Sequence, residues 1–230
     1  GANFIYNSLQ VQLRKQMAKG GLISASYTWS KARTDASTYS EQPLNSYNAR
    51  ADWGPSNYNR NQIFVFSYVY PLPFWQNGQE WYKKVLGGWQ VSGITQIQSG
   101  LPVNVTLQGD VAGIGITGTD RPNISGSVYQ SGGGTQFLNP AAFATPPLGT
   151  FGNLGRNAIF GPGTNNWDAS LQKGFPLGER VHLDFRAEFY DFPNHLSYSS
   201  ISTTVGSSNF GQVTGATDPR TLEFALRLSF

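Results

Sequence analysis

The last ten residues of the chain alternate without a break: Leu222, Phe224, Leu226, Leu228 and Phe230 fall on one parity, and Thr221, Glu223, Ala225, Arg227 and Ser229 on the other. Successive side chains of a strand point to opposite sides, so this period over this length predicts one long β-strand with an apolar and a polar face. Residues 181–190 repeat it, with Val181, Leu183, Phe185, Ala187 and Phe189 opposed by His182, Asp184, Arg186, Glu188 and Tyr190. Upstream, Leu9, Val11 and Leu13 oppose Ser8, Gln10, Gln12 and Arg14, while Ile23, Ala25, Tyr27 and Trp29 oppose Ser24, Ser26, Thr28 and Ser30. Between these two strands Ala18-Lys19-Gly20-Gly21 reads as a hairpin turn. Trp89, Val91, Gly93, Thr95 and Ile97 oppose Gln90, Ser92, Gln96 and Gln98, with Ile94 intruding, and Trp167, Ala169 and Leu171 oppose Asp168, Ser170 and Gln172. Residues 61–70 carry Phe64, Phe66, Tyr68 and Tyr70 on one parity and Ile63, Val65 and Val69 on the other, which leaves their facing open.

Seven strands follow, and the links between them are unequal in an ordered way. Short ones (18–21, 71–88 and 176–179) alternate with long ones (33–60, 104–166 and 191–219). The composition says what the two faces meet. Only 13% of residues are charged, where about 25% is usual, yet apolar residues stop at 39% and mean hydropathy is −0.33, so Ser, Thr, Asn, Gln and Gly dominate. A soluble sandwich would show Lys and Glu on its polar face, whereas here that face is mostly uncharged, with interleaved charges such as Asp184, Arg186, Glu188, Glu223 and Arg227. A polar lumen suits this better. Trp29, Tyr70, Trp89 and Trp167 sit near strand ends, where an interfacial girdle places aromatics. The expected fold class is therefore all-β, an antiparallel transmembrane β-barrel segment of about seven meandering strands, with short periplasmic turns and long extracellular loops.

Other classes lose ground on the same counts. No apolar run approaches the length of a helical membrane span. With no cysteine and two histidines, disulfide scaffolds, thiolate metal sites and cysteine nucleophiles drop out. The net charge of +3 is spread along the chain, which predicts no nucleic-acid partner. The chain opens on Gly1 without a leader, residues 1–4 are too short for another crossing, and single-chain bacterial barrels have even strand numbers. A piece of a larger barrel is expected.

The residues also resemble a known family. Tyr6-Asn7-Ser8-Leu9-Gln10, Ser26-Tyr27-Thr28-Trp29-Ser30-Lys31, Gly87-Gly88-Trp89-Gln90-Val91-Ser92-Gly93-Ile94 and Gln98-Ser99-Gly100-Leu101-Pro102 resemble, in that order, the C-terminal barrel of Oar-like TonB-dependent outer-membrane receptors. So do Phe137-Leu138-Asn139-Pro140-Ala141-Ala142-Phe143, Phe151-Gly152-Asn153-Leu154-Gly155-Arg156-Asn157, Asn166-Trp167-Asp168-Ala169-Ser170-Leu171 and Phe185-Arg186-Ala187-Glu188-Phe189-Tyr190. Phe192-Pro193-Asn194-His195 departs from the family pattern, and Pro193 is expected to end its strand. The resemblance implies a non-enzymatic transporter in the bacterial outer membrane, with residues 1–230 forming the C-terminal barrel segment around a plug not present here. That plug would contact the TonB complex, and the substrate would be an oligosaccharide, peptide or metal chelate that the residues leave unnamed. It also implies that Phe224, Leu226, Leu228 and Phe230 form a terminal signal for the barrel-assembly machinery. A passive porin-like channel and a secreted β-sandwich carbohydrate-binding module are the alternatives.

Few motifs suggest other chemistry. Gly113-Ile114-Gly115-Ile116-Thr117-Gly118 spells a dinucleotide fingerprint, but Thr119-Asp120-Arg121-Pro122 follows it with no helix to receive a phosphate, so an outer loop is expected. Asp184 and Glu188 with Arg186 between them read as a lumenal charge ladder rather than a catalytic carboxylate pair, and His182 and His195 lack the partners of a metal site. The sequons at Asn104 and Asn123 read as chance. No cofactor is expected. Tyr39, Tyr47, Trp53 and Tyr58 in the 33–60 loop read either as a stacking surface for sugars or peptides or as loop-on-loop packing.

Overall fold

The computed structural model describes residues 2–17, 20–39, 41–75 and 80–230. Seven long strands, β1 (Phe4–Gln16), β2 (Leu22–Thr34), β3 (Gln62–Pro71), β4 (Gln90–Gln98), β5 (Thr164–Pro176), β6 (His182–Tyr190) and β7 (Thr221–Ser229), pair antiparallel in chain order. Their lengths, 9 to 13 residues, match the 9 to 11 or so that a tilted strand needs to cross a bilayer. All seven strands expected from alternation are present. The hairpin turn falls partly on Ala18 and Lys19, which lie outside the described residues. Phe230 sits one residue past the end of β7 and is 96% exposed. Among the described residues no ladder joins β1 to β7, so these two strands are the edges of the sheet.

Register decides which side chains share a face. One row runs Ile23, Tyr68, Gly93, Ala169, Phe189, Leu222 across β2 to β7, and the next runs Tyr70, Val91, Leu171, Ala187, Phe224 across β3 to β7. Leu183 and Phe185 face Leu228 and Leu226 in the same way. The odd residues of β6 and the even residues of β7 thus share one apolar face, as the alternation predicts. Trp29, Tyr70, Trp89 and Trp167 lie on it too. The register also settles β3, because Phe64, Phe66, Tyr68 and Tyr70 line up with that face. Ile63, Val65 and Val69 consequently point to the polar side, where Leu22 and Ile94 join them as an apolar strip on an otherwise polar wall. Gly93 lets Tyr68 lie across it: a Cβ there would strike the Tyr68 ring and the Asp168 carbonyl.

Charges of both signs stand on the polar face. Asp184 stands opposite Arg227, Arg186 opposite Ala225 and Glu188 opposite Glu223. Two carboxylates directly across a ladder repel, and Glu188 is compensated along its own strand by Arg186 at 3.4 Å and the Tyr190 hydroxyl, which donates at 3.0 Å. The Ser92 and Ser170 hydroxyls bond across β4 and β5 at 2.7 Å. Two hollows span several strands of the sheet, one beside Ser92, Ser170 and Glu188 and one beside Gln90, Asp184 and Arg227. Both are lined mainly from this face, as the inner side of a curved wall would be.

The compact hydrophobic core is elsewhere. Apart from Ala32 and Ala187, every buried apolar side chain lies outside the seven strands. Val105, Leu138, Ala142, Phe143, Leu154, Ile159 and Phe210 form one cluster, drawn from the two long segments 99–163 and 191–220. Short ladders frame it, including a parallel pair of Thr204 and Val205 with Thr106 and Leu107. The three long links leave the sheet at one end and the three short ones at the other, so this cap closes over a single rim.

The face assignment has a direct consequence. Leu226→Arg places a cation on the apolar side and is expected to cost about 2–4 kcal/mol of barrel stability, whereas Ala225→Arg, on the polar side, costs far less. Denaturant unfolding of the full-length protein in detergent measures both, and equal tolerance would contradict the assignment.

Candidate functional site

The cap is held to the wall by buried charge. Arg156, in the segment 99–163, crosses to the segment 35–61 and uses all five of its guanidinium hydrogens. Nε and Nη2 donate to the two Glu41 carboxylate oxygens at 2.7 Å each, Nη2 also donates to Ser37 Oγ at 2.8 Å, and Nη1 donates to the Thr34 and Pro55 carbonyls at 3.2 Å. Such a two-pronged arginine–carboxylate contact is among the stronger hydrogen-bonded pairs. Asn157 follows in the left-handed region (φ 52°) and donates to the Pro55 carbonyl at 2.8 Å and Asn57 Oδ1 at 2.5 Å. Gly54 makes this approach feasible, since a Cβ there would strike the Arg156 carbonyl.

A second pair lies alongside. Arg121, 4% exposed, donates from Nη1 to Asp52 Oδ1 at 3.0 Å and from Nη2 to the Ala51 carbonyl at 2.8 Å, while Asp52 Oδ2 accepts the Leu44 amide at 2.9 Å. Burial pushes the Arg121 guanidinium below its ordinary range, and Asp52 opposes that shift. Gly152 lets its segment pass directly over this arginine, because a Cβ there would meet the Arg121 and Pro122 carbonyls. Between the two pairs lies a polar cavity of about 190 Å³, bordered by Glu41, Asp52, Asn104, Thr119, Arg121 and Arg156. Asn104, Thr119 and Arg121 line it, and among the described residues Asn104 Oδ1, Thr119 Oγ1 and Arg121 Nε are buried without a protein partner. The polar lining suits water or a hydroxyl-bearing group.

The Gly113-x-Gly115-x-x-Gly118 stretch is a loop, as expected. The Asp110 carboxylate accepts the Ile114 amide at 2.9 Å and the Gly115 amide at 2.7 Å, and Gly113, Gly115 and Gly118 all take positive φ. Those amides, Gly115 first, hold the Asp110 carboxyl below the usual carboxylate range.

The four loop aromatics do not form a cluster. Tyr39, Tyr47 and Tyr58 are exposed, without a ring contact among the described residues, while Trp53 is half-buried beneath the Arg33 guanidinium at 5.6 Å. Asp184, Arg186, Glu188, Glu223 and Arg227 share the polar face, and Phe224, Leu226 and Leu228 are exposed on the apolar one. Sequence reasoning missed the Arg156–Glu41 and Arg121–Asp52 pairs. Their signal was present in the scarcity of charge: with so few charged residues, an arginine inside a glycine-containing motif such as 151–157 calls for a partner.

Comparison with known families separates a membrane wall from a soluble sheet. A family model for an outer membrane beta barrel domain matches residues 1–223, nearly the whole chain. The chain belongs to that family. No curated protein and no solved structure matches it. This outer membrane barrel domain is therefore placed in the bacterial outer membrane, in contact with its lipid.

The buried pairs imply a local stability test. Asp52→Ala strands the Arg121 cation and is expected to loosen the cap by about 3–5 kcal/mol, while Asp52→Leu combined with Arg121→Met recovers most of the loss. Hydrogen exchange of residues 41–56 reads this out with the strands as internal reference; unchanged protection in Asp52→Ala would contradict it.

Proposed function

We propose that this barrel domain is the C-terminal wall and outer cap of a TonB-dependent receptor of the Oar-like kind. The receptor captures a large or scarce substrate, an oligosaccharide, peptide or metal chelate, at the cell surface and passes it through the lumen. The observation that carries the reading is the cap itself. Three long segments are locked to each other and to the wall by buried arginine–carboxylate pairs and a shared apolar core, a preorganised surface suited to capture. The exposed tyrosines 39, 47 and 58 supply stacking area, and the cavity between Arg121 and Arg156 supplies hydrogen-bonding groups below. The resemblance of motifs along nearly the whole chain to that receptor class adds to this. Energised opening would act on a plug supplied from outside these residues. The polar wall, with its alternating charges, gives a wetted path once the plug moves.

The same reading assigns β7 a role in assembly. β7 has a free edge among the described residues, with Phe224, Leu226 and Leu228 along its lipid face and Phe230 beyond. An assembly factor that pairs by strand addition needs such an edge with alternate apolar side chains.

Two measurements test this. Full-length protein in planar bilayers is expected to show no steady open conductance, and uptake in cells is expected to stop when an uncoupler collapses the proton gradient. Steady ohmic conductance with uncoupler-insensitive uptake would identify a passive channel instead. Deleting Phe230 is expected to lower outer-membrane levels sharply while leaving refolding of purified protein into detergent unchanged; normal membrane levels would remove the assembly role.

A further inference from the structure

We propose that the link between β3 and β4 carries an in-plane anchor, a short helix that binds the phospholipid leaflet on the short-turn side, pinned to the outside of the wall by Lys173. The inference goes beyond the receptor reading and stands whether the barrel is gated or open.

Lys173 is the anomaly that leads to it. The register sets it opposite Phe185, on the lipid face, near the short-turn end of β5. A cation there is unfavourable unless its charge is neutralised or reaches the interface. Lys173 is 6% exposed, and its three ammonium hydrogens match three carbonyls: Lys84 at 2.5 Å, Val85 at 2.8 Å and Gly87. These belong to the last turn of the helix α1 (Trp81–Leu86) and the residue that ends it. The final carbonyls of a helix have no partners within it and form its negative pole, so the ammonium satisfies both needs at once. Trp89 Nε1 also donates to the Val85 carbonyl at 3.0 Å, and the Trp89 and Phe175 rings lie 5.5 and 4.6 Å from the ammonium. Trp89 in turn packs edge-on against Phe175 and Phe185. Because Lys173, Trp89, Phe175 and Phe185 all project from the lipid face, the end of α1 that they hold lies outside the barrel.

The rest of the helix is built to meet lipid. At about 100° per residue, Trp81, Val85, Tyr82 and Leu86 fill an arc of roughly 140°, and Lys83 and Lys84 fill the remainder. All four apolar residues are exposed, Trp81 to 77%, as are Phe74 and Trp75 just upstream. Six residues are too few to hold a helix in water unaided. Its apolar arc continues the lipid-facing surface of the wall, its aromatics are the types that settle at the membrane boundary, and its exposed Lys84 sits at headgroup level for phosphate. The occupant this combination fits is the boundary between headgroups and acyl chains.

The test uses full-length protein folded into phosphatidylethanolamine–phosphatidylglycerol vesicles, with an environment-sensitive fluorophore on a single cysteine introduced as Trp81→Cys, or as Tyr47→Cys in the cap for comparison. The label at 81 is expected to be quenched several-fold more strongly than the label at 47 by phospholipids brominated close to the headgroup, and to be shielded from aqueous iodide. Lys173→Met is expected to lose most of that lipid quenching while the barrel still shows its folded gel mobility. Free iodide access at 81 in the parent protein overturns the anchor, and unchanged quenching in a folded Lys173→Met protein overturns the role of the lysine. Should Lys173→Met fail to fold, the same loss of quenching is expected from Gly87→Val, which crowds the Trp75 and Lys83 carbonyls, and its persistence would count against the pinned helix.

Discussion

A chain that crosses hydrocarbon as strands must place its backbone N–H and C=O groups in ladders, because no water is present to accept or donate in their place. The arrangement of this protein follows from that requirement. Unbroken pairing from β1 to β7 forces each side chain to one of two faces, and the register then makes one face continuously apolar and the other polar. A conventional core cannot form between these faces, since each has its own solvent. Burial against other protein is left to the connections, and only the three long ones have the length for it. They supply the apolar cluster around Leu138, Phe143 and Phe210.

Charge is used sparingly, and the buried arginines and Lys173 each have partners. On the wet side of the wall Asp184, Arg186, Glu188 and Arg227 alternate in sign. In the cap, Arg156 with Glu41 and Arg121 with Asp52 tie segments that are far apart in sequence. On the lipid side Lys173 is neutralised by helix carbonyls. Removing one member of a buried pair costs more than the pair contributes, so these contacts specify arrangement more than they add stability. The cap's shape depends on them, and so does the position of α1.

Much of the wall was legible in sequence, because alternation is a local signal and the pleat enforces it. The strands at 8–14 and 167–172 were recognised but run longer, as Phe4–Gln16 and Thr164–Pro176, since their ends mix polar and apolar residues without breaking the ladder. The facing of residues 61–70 was not legible: both parities are apolar there, and only pairing with β2 and β4 separates Phe66 from Val65. The cap was illegible for a different reason. Val105, Leu138 and Phe210 join one cluster from positions with no period, and Arg156 finds Glu41 115 residues away. Lys173 lies on the apolar parity of β5 just beyond the alternation at 167–172, and α1, whose carbonyls hold it, is too short to announce itself. The loop aromatics share a segment but not an environment: Trp53 lies under Arg33, while Tyr39, Tyr47 and Tyr58 make no ring contact among the described residues.

Everything above depends on one face of this sheet meeting lipid and the other meeting water. Because residues 1–230 contain no cysteine, single cysteines placed in turn at positions 222 to 228 of the full-length protein in native membranes can be probed with a water-soluble maleimide. Labelling is expected to alternate, with 223, 225 and 227 modified and 222, 224, 226 and 228 protected. Uniform labelling, or the opposite alternation, would contradict the two-solvent arrangement.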